Sequence, residues 1–400
     1  MKPKILVLTD EGISQAHGTG TVLMRHFEAY PQERICNVFP MKNGKPYLKK
    51  SLHAKAGFFS YHITVGLSEI GMHQTLLHNY FENYWFVGFK KSLSEINFYP
   101  DVIYSTASTG RGIMLLLELI KLFPKVPIIQ HFMDYLPFGL KEVTLNLKRI
   151  APSLDKVWSL TKNFSKKYDP ILGVQSKLVR VFHCNLPQKF KTDHKEYSPN
   201  FKAIMIGNCW MPELLNDLKK TWNWLSTKLE GLGAIEWYVH PDTIKWINEK
   251  GIALGDEIKD MGYFTKEEFW KRLREADMAI IPFNGQEIPE NGYARYSLPS
   301  RITEIASMGL PVFCSAGSGT ELKSYVEEKE IGKCSLISHK DQFQEDLYEF
   351  VVNKEQRERF GRNARKLAES EFNLSAYQDW FYNQLSELAE QGNLREKRIL

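Results

Sequence analysis

Short apolar segments of strand length alternate with helical segments in two successive series along this chain of 400 residues. The first series runs from residues 4–9 to 178–182, and the second runs from 201–206 to 311–315. Such alternation is typical of parallel α/β sheets, in which each helix crosses back over the sheet between two strands. A polar stretch without periodicity, 187–200, separates the two series. The pattern therefore predicts two doubly wound domains joined by a linker.

The same pattern divides the chain into four parts. Residues 1–186 are predicted to form an N-terminal Rossmann-like domain, 187–200 a linker, and 201–374 a C-terminal Rossmann-like domain. Residues 375–400 are predicted to form a separate helix, for which packing back on the N-terminal domain is one expected arrangement. One face of this helix is too polar for complete burial.

Composition places the chain among soluble globular proteins. Hydrophobic side chains make up 43% of the residues and charged ones 25%, which excludes disorder and collagen. The longest apolar stretch, 112–123, contains Glu118 and Lys121 and is too short and too charged to span a bilayer. Because the N-terminal apolar run covers only residues 5–8, it predicts a strand rather than a signal peptide. The expected location is cytoplasmic.

Cysteine spacing and net charge exclude further kinds of site. The five cysteines contain no C-x-x-C pair, so neither a disulfide framework nor a zinc ribbon is expected, and we interpret them as reduced. The net charge is only +5 and no long basic block occurs. A nucleic-acid partner is therefore not predicted.

Basic and aromatic side chains are interleaved in residues 48–91, among them Lys49, Phe58, Trp85 and Lys90. A surface of this kind suits contact with anionic lipid, which would hold the protein at the inner face of the membrane as a peripheral protein. Packing in a core explains the same aromatic side chains equally well. Both interpretations stay open.

Two glycines follow the first predicted strand. Gly18 and Gly20 precede a helix whose unpaired N–H groups can face an anion. They come later after the strand than in a dinucleotide-binding turn, and no acidic residue ends a clear second strand. NAD and FAD are therefore not expected. The glycines form either a flexible turn or a place where the backbone approaches a ligand in a cleft between the domains.

The most informative stretch is 296–321. Pro299 and Ser300 are predicted to begin a helix that ends at Gly309. Ser300 and Arg301 then lie at the helix N-terminus, where the helix dipole, N–H groups and a guanidinium all favour phosphate. Glu304 lies one turn further on, where its carboxylate can accept hydrogen bonds from both hydroxyls of a ribose. A solvated helix carboxylate is the alternative interpretation of Glu304.

This stretch resembles the nucleotide-sugar-binding helix of GT-B glycosyltransferases of the GT4 type (glycosyl transferase group 1), whose usual form is P-S-K-x-x-E-x-x-A-x-G-x-P-V. Residues 274–282 resemble the A-D-V-x-V-x-P strand of that family, and 261–264 resemble its loop that meets the nucleotide base. Residues 128–134 are similar to its H-D strand end, and 157–161 with 181–185 are similar to the strands that close its N-domain. The resemblance covers roughly residues 3 to 385.

The resemblance implies a GT-B α/β fold, in which two Rossmann-like doubly wound domains face each other across a cleft. It implies transfer of a sugar from a nucleotide-diphosphate sugar to a glycan or lipid-linked acceptor, as in polysaccharide biosynthesis. No cofactor and no metal are expected, because helix dipoles and arginines stabilise the leaving diphosphate and no D-x-D motif is placed to hold a cation. The expected catalytic residues are His131 and Asp134. The expected nucleotide-sugar-binding residues are Gly18, Gly20, Gly262, Tyr263, Arg295, Tyr296, Ser300, Arg301 and Glu304.

Two features depart from the pattern of the family. Tyr296 occupies the position of the first of two glutamates, the one that contacts the transferred sugar, although Glu287 and Glu290 lie nearby. The arginine and lysine that hold the diphosphate after the first strand of the C-domain are not obvious after Gly207, where Lys219 and Lys220 come only further on. Arg295 and Arg301 are the residues expected to take the phosphate charge instead.

Several alternatives remain at this point. His131 is either a structural histidine with satisfied ring nitrogens, a contact to the donor sugar, or a catalytic base. Glycosidase chemistry is excluded, because it needs two carboxylates flanking a scissile bond and no such pair is identifiable. The remaining rivals of a transferase are a nucleotide-sugar epimerase and a catalytically inactive sugar-nucleotide-binding scaffold.

Overall fold

The computed structural model describes residues 2–13, 18–40, 51–53, 93, 97–133, 141–191, 201–209, 211–264, 266–286 and 292–397. The chain divides into two compact units. Unit 1 consists of Met1–Val181 and Ser375–Leu400, and unit 2 consists of Phe182–Leu374. The chain therefore passes between the units twice.

Unit 1 contains a parallel sheet with the strand order β3-β2-β1-β4-β5-β6-β7. Its strands are β1 (Ile5–Leu8), β2 (Ile35–Phe39), β3 (Ser51–His53), β4 (Val102–Ser105), β5 (Ile128–Phe132), β6 (Lys156–Ser159) and β7 (Lys177–Leu178). The helices between them are α1 (Gly18–Phe27), α2 (Gly110–Leu122), α3 (Lys141–Ile150) and α4 (Lys162–Leu172). Short 3-10 helices lie at Gln32–Arg34 and Ala151–Ser153.

Unit 2 contains a second parallel sheet with the strand order β10-β9-β8-β11-β12-β13. Its strands are β8 (Ala203–Ile206), β9 (Ile235–Tyr238), β10 (Ile258–Gly262), β11 (Met278–Pro282), β12 (Val312–Ser315) and β13 (Gly332–Ser335). Its helices are α5 (Leu214–Lys228), α6 (Pro241–Glu249), α7 (Lys266–Glu275), α8 (Tyr293–Tyr296), α9 (Ile302–Ser307), α10 (Glu321–Glu328), α11 (Lys340–Val352) and α12 (Lys354–Glu371).

The last helix, α13 (Leu374–Lys397), packs on unit 1 through aromatic side chains. The ring of Phe381 is fully buried and its centroid lies 5.1 Å from that of Tyr104. The hydroxyl of Tyr382 donates a hydrogen bond of 2.6 Å to the backbone carbonyl of His26. Residues from the end of the chain thus contribute to the core of unit 1.

The central strands are apolar because both faces of each sheet are covered. Every residue of β1, β4, β8, β11 and β12 is buried. Fully buried parallel strands are expected to be continuous apolar runs rather than alternating ones. Each of these strands coincides with a short apolar run of the sequence, which is why the sequence predicts it.

The strand order reverses once in each sheet, between β1 and β4 in unit 1 and between β8 and β11 in unit 2. At such a reversal the loops that follow the two strands diverge to opposite faces of the sheet. The gap between them, at the carboxyl ends of the strands, is where doubly wound domains bind ligands. The loops after β1, β4, β8 and β11 are therefore the places to look for a site.

Some details differ from the sequence predictions. Gly18 and Gly20 lie in the first turn of α1 rather than in a separate turn before it. The strand predicted over 178–182 is limited to Lys177–Leu178, and the helix predicted over 300–308 is Ile302–Ser307. The linker predicted at 187–200 lies largely outside the residues that the structure describes.

Among the described helices, none combines the length and the apolar character needed to cross a membrane. All five cysteines are buried free thiols.

Candidate functional site

The loop that follows β8 is held by hydrogen bonds to three consecutive backbone carbonyls. The guanidinium of Arg301 donates from Nη1 to the carbonyl of Ile206 at 2.7 Å and from Nη2 to that of Asn208. Between these two, the indole Nε1 of Trp237 donates to the carbonyl of Gly207 at 2.9 Å. Since Trp237 is 1% exposed, the loop is anchored on the core of unit 2.

Side chains of the same loop are also fixed. Gly207 has a φ of 70°, which is the left-handed region that glycine adopts without strain. The side-chain oxygen of Asn208 accepts a hydrogen bond of 2.6 Å from the hydroxyl of Thr243. The buried thiol of Cys209 donates to the carbonyl of Met211 at 3.3 Å. The loop therefore has a defined conformation at the strand reversal of unit 2.

Arg301 and Glu304 approach this loop from the start of α9. Arg301 immediately precedes the helix, and Glu304 is half-buried in its first turn. Burial lowers the pKa of the Arg301 guanidinium, while the neighbouring Cys209 and Glu304 act in the opposite direction. Ser300 is exposed before the helix. The predicted phosphate and ribose residues thus lie beside the loop after β8.

Arg295 lies against a different loop of unit 2. Gly319 has a φ of 76°, and a Cβ atom on it would lie 3.1 Å from Nη1 of Arg295. The guanidinium therefore packs on the glycine turn that follows β12. Tyr296, at the position of the missing glutamate, is buried.

Gly262 and Tyr263 lie at the same edge of the sheet. Gly262 pairs with Tyr238, which in turn pairs with Ile206 at the end of β8. The side chain of Tyr263 is 79% exposed, and its ring centroid lies 6.0 Å from that of His240. An exposed aromatic ring at this edge can stack on a planar ligand group such as a nucleotide base.

The ends of β11 and β12 are joined by buried polar groups. The backbone N–H of Asn284 donates to the carbonyl of Ser315 at 2.9 Å, and the hydroxyl of Ser315 donates back to the carbonyl of Asn284 at 2.6 Å. The side-chain amide of Asn284 in turn donates to the carbonyl of Gln286. These bonds fix the second loop at the strand reversal of unit 2.

His131 lies inside unit 1. Its side chain is fully buried, and its Nδ1 lies 2.9 Å from the hydroxyl of Tyr104. Its Nε2 lies 3.1 Å from the carbonyl of Val179. In this conformation both ring nitrogens have protein partners, as expected for a structural histidine. The catalytic role of His131 stays a prediction.

A second cluster occupies the strand reversal of unit 1. The Asp10 carboxylate, which follows β1, accepts hydrogen bonds from the backbone N–H of Ser108 at 2.7 Å and from its hydroxyl at 2.6 Å. It also accepts from the hydroxyl of Thr109 at 2.5 Å, while Thr109 caps α2 by accepting from the N–H of Gly112 at 3.1 Å. Asp10 thereby ties together the loops after β1 and β4.

The predicted site residues fall into separate groups. Gly262, Tyr263, Arg295, Ser300, Arg301 and Glu304 lie along the carboxyl ends of the strands in unit 2, with Tyr296 buried beside them. His131, Gly18 and Gly20 belong to unit 1. Asp134, Glu287 and Glu290 lie outside the described residues, and so do residues 48–91 apart from Ser51–His53.

Three contributors were not predicted from the sequence. Asp10 and Asn208 each follow a buried strand next to a strand reversal, which is a usable signal for a site residue. Trp237 carried no such signal, because its indole reaches the loop from the middle of a neighbouring strand. Within the described residues, no group of three or more histidine, cysteine or carboxylate side chains is arranged to hold a metal ion.

Comparisons with known proteins bear on the fold of the chain. Neither a family model nor a curated protein sequence matches it. Solved structures do, over nearly the full length. Sucrose-phosphate synthase from Thermosynechococcus elongatus has a TM-score of 0.63 at 14% identity, covering 97% of this chain and 98% of its own.

Two further structures are similar to the same extent. Anabaena Alr3699/HepE in complex with UDP-glucose has a TM-score of 0.60 at 11% identity, covering 96% of this chain and 100% of its own. WaaG, a glycosyltransferase involved in lipopolysaccharide biosynthesis, has a TM-score of 0.56 at 10% identity, covering 95% and 99%. Similarity at such low identity shows the fold, and the predicted GT-B fold is confirmed.

Proposed function

Starting from the GT-B fold, we propose that the chain is a GT4-like glycosyltransferase that uses a nucleotide-diphosphate sugar as donor. The observation that carries the proposal is the junction of Arg301, Glu304 and the loop after β8. These groups meet at the strand reversal of unit 2. This is the position at which doubly wound domains bind nucleotides.

The similar structures support the choice of donor. Anabaena Alr3699/HepE is found in complex with UDP and with UDP-glucose, and WaaG is a glycosyltransferase. In the proposed complex, Glu304 accepts hydrogen bonds from the ribose hydroxyls and Tyr263 stacks on the base. Arg301 and Arg295 supply positive charge near the diphosphate.

The proposed reaction breaks the bond between the sugar C1 and the diphosphate oxygen and forms a bond from C1 to an acceptor hydroxyl oxygen. The negative charge left on the diphosphate is stabilised by backbone N–H groups and guanidinium groups, without a metal ion. The acceptor hydroxyl gives its proton to a catalytic base or to the leaving diphosphate oxygen. Asp134 and His131 are the proposed catalytic residues, and Asp134 is the stronger candidate, because both ring nitrogens of His131 have partners within unit 1.

The proposed acceptor is a glycan or lipid-linked sugar, as in polysaccharide biosynthesis, bound by unit 1. The basic and aromatic composition of residues 48–91 supports peripheral contact with anionic membrane at the cytoplasmic face. Sedimentation with anionic vesicles at low salt tests this part, since electrostatic binding is strongest there. Failure to sediment would remove the membrane contact and leave the transferase proposal intact.

A thermal-shift series without added metal tests the donor class. The protein is heated with UDP, GDP, dTDP, CMP or ADP, and one of them is expected to raise the unfolding temperature. A ligand at 100 times its Kd adds about 2.7 kcal/mol to the free energy of unfolding. If none of the nucleotides stabilises the protein, the proposal is wrong.

Incubation with the matching nucleotide sugar then separates the rival activities. Slow release of free sugar in the absence of acceptor indicates a transferase, and interconversion of the sugar indicates an epimerase. Binding without turnover indicates the inactive scaffold, for which the buried Tyr296 at the glutamate position is the specific argument.

A further inference from the structure

The three carbonyls held by Arg301 and Trp237 determine where the N–H groups of the same loop point. In a trans peptide the carbonyl oxygen and the following N–H lie on opposite sides of the C–N bond. The Gly207 carbonyl is turned toward Trp237, and the Asn208 carbonyl is turned toward Arg301. The N–H groups of Asn208 and Cys209 therefore point away from these donors. Since Cys209 is buried, the N–H of Asn208 is the one of the two that a ligand can reach.

The surroundings of the loop make this direction relevant. The loop follows β8 at the strand reversal, and Asn208 is exposed there. The N–H of Gly207 donates to the carbonyl of Tyr238 at 2.8 Å, so the hydrogen bonds of the sheet end at Gly207. A backbone N–H that points away from the sheet at such a place is a donor for an anionic oxygen.

The loop itself contains no cationic side chain. Residues 207–213 read GNCWMPE, without lysine or arginine. The nearest lysines of α5 are engaged elsewhere, since Lys219 donates to the carbonyl of Ala253 and Lys220 pairs with Asp217 at 3.4 Å. Apart from Arg301, whose guanidinium is engaged by carbonyls of the loop, an anion bound here would therefore meet the backbone N–H of Asn208.

We infer that the N–H group of Asn208 binds a phosphate oxygen of the donor, and that Trp237 and Arg301 are positioning residues that aim it. The inference rests on the proposed function and assigns Arg301 a different part in it. Its guanidinium acts mainly through the carbonyls of Ile206 and Asn208 rather than by direct contact with phosphate.

Trp237→Phe tests the inference against a matched control. Trp222 is equally buried in the same core and donates from Nε1 to the carbonyl of Gly233 at 2.8 Å, near the amino end of β9. Trp237→Phe and Trp222→Phe each remove one buried indole hydrogen bond, so similar losses of stability are expected. Only Trp237→Phe should weaken ligand binding.

Calorimetry with three probes measures this difference. Trp237→Phe is expected to lower the affinity for UDP and for inorganic pyrophosphate by roughly tenfold, which is the range of one hydrogen bond to a charged group. The affinity for uridine should not change. Trp222→Phe should bind all three as the unsubstituted protein does. Unchanged pyrophosphate and UDP affinity in a folded Trp237→Phe protein would overturn the inference.

Arg301→Lys provides a second test that does not depend on Trp237. Lysine keeps the positive charge but cannot donate to two carbonyls in the geometry of a guanidinium. We expect Arg301→Lys to lose pyrophosphate affinity by roughly tenfold, almost as much as Arg301→Ala. Affinity retained in Arg301→Lys but lost in Arg301→Ala would mean direct charge contact and would overturn the positioning role.

Arg357→Lys is the matched control for this substitution. The Arg357 guanidinium is fully buried and donates to the carbonyls of Phe350 and Val351, distant in sequence from the loop. The Arg357→Lys protein should be less stable than the unsubstituted protein but should bind the ligands equally well. Pyrophosphate binding without binding of any nucleotide would refute the proposed function but leave the anion contact at Asn208 and the two positioning roles standing. If the protein binds neither pyrophosphate nor any nucleotide, the proposed function and the inference are both wrong.

Discussion

Arg301 and Glu304 are three residues apart, yet they have different roles in the folded structure. Arg301 joins the start of α9 to the loop after β8 through two hydrogen bonds to backbone carbonyls. Glu304 is half-buried, and its carboxylate is the group of the pair assigned to a ligand. At the scale of single residues, Arg301 therefore acts on the ligand through the conformation of the loop, whereas Glu304 acts on it directly.

Glu304→Ala is expected to weaken nucleotide-sugar binding by roughly 10- to 100-fold, because two charge-assisted hydrogen bonds to the ribose are lost. The unfolding temperature should hardly change. Calorimetry with ribose and 2′-deoxyribose nucleotides measures the coupling between Glu304 and the 2′ hydroxyl. The mutation should lower the affinity for the 2′-deoxy ligand less than the affinity for the ribose ligand. Equal losses of affinity would show that Glu304 does not bond this hydroxyl.

The buried thiol of Cys209 is expected to make the stability of the protein depend on pH. Burial raises the pKa of Cys209 to about 11 from 9.0, and the nearby Arg301 opposes this only in part. Because the unfolded chain ionises first, the contribution of the neutral thiol to stability is complete below about pH 9 and is lost as the pH rises toward 11.

Cys209→Ala should remove this contribution. The difference in unfolding free energy between the two proteins is expected to shrink by about 2 to 3 kcal/mol between pH 8 and pH 11, as measured by urea unfolding at each pH. The native thiol should also react slowly with iodoacetamide at pH 8. A pH-independent difference, or fast alkylation of the folded protein, would contradict the buried neutral thiol.

At the scale of elements, burial decided what could be predicted from the sequence. Strands β8, β11 and β12 are predicted well, since they are short, continuous apolar runs. Strand β10 is not predicted, because this edge strand carries exposed Lys259 and Asp260 and shows no apolar run.

The contacts of the site were less predictable than its residues. Arg301 stands out in the sequence by its place before a helix, but its partner Ile206 is 95 positions away. Trp237 meets Gly207 across 30 positions. Such pairings follow from the strand order of the sheet, which local periodicity does not determine. Sequence reasoning therefore found the arginine and assigned it to phosphate without its backbone partners.

The start of β11 is fixed by a buried ion pair. The Lys191 Nζ lies 2.8 Å from Oδ1 of Asp277, and both side chains are buried. Asp277→Asn would leave the buried ammonium without its counter-charge, at a cost of about 3 to 5 kcal/mol in stability. Glu275→Gln is the control, since the Glu275–Lys202 pair is exposed and should contribute less than about 1 kcal/mol. Equal unfolding free energies for the two variants would contradict this assignment.

At the scale of the whole molecule, unit 1 is discontinuous in sequence. Phe381, from the end of the chain, is fully buried among aromatic rings of unit 1. Phe381→Ala should therefore lower stability by about 3 to 5 kcal/mol, whereas Leu145→Ala, on a half-exposed position of the same unit, should change it by less than about 1 kcal/mol. Thermal unfolding compares the two. A small effect of Phe381→Ala would show that α13 contributes little to the core of unit 1.

This discontinuity has a consequence for biosynthesis. A ribosome makes most of unit 1 first, then all of unit 2, and only afterwards the helix that fills the remaining space in the first aromatic core. At about 5 to 20 residues per second, unit 2 takes on the order of 10 to 40 s to synthesise. During that interval the rings that later surround Phe381 lack their partner and expose apolar surface, which makes the nascent first unit a natural client for chaperones.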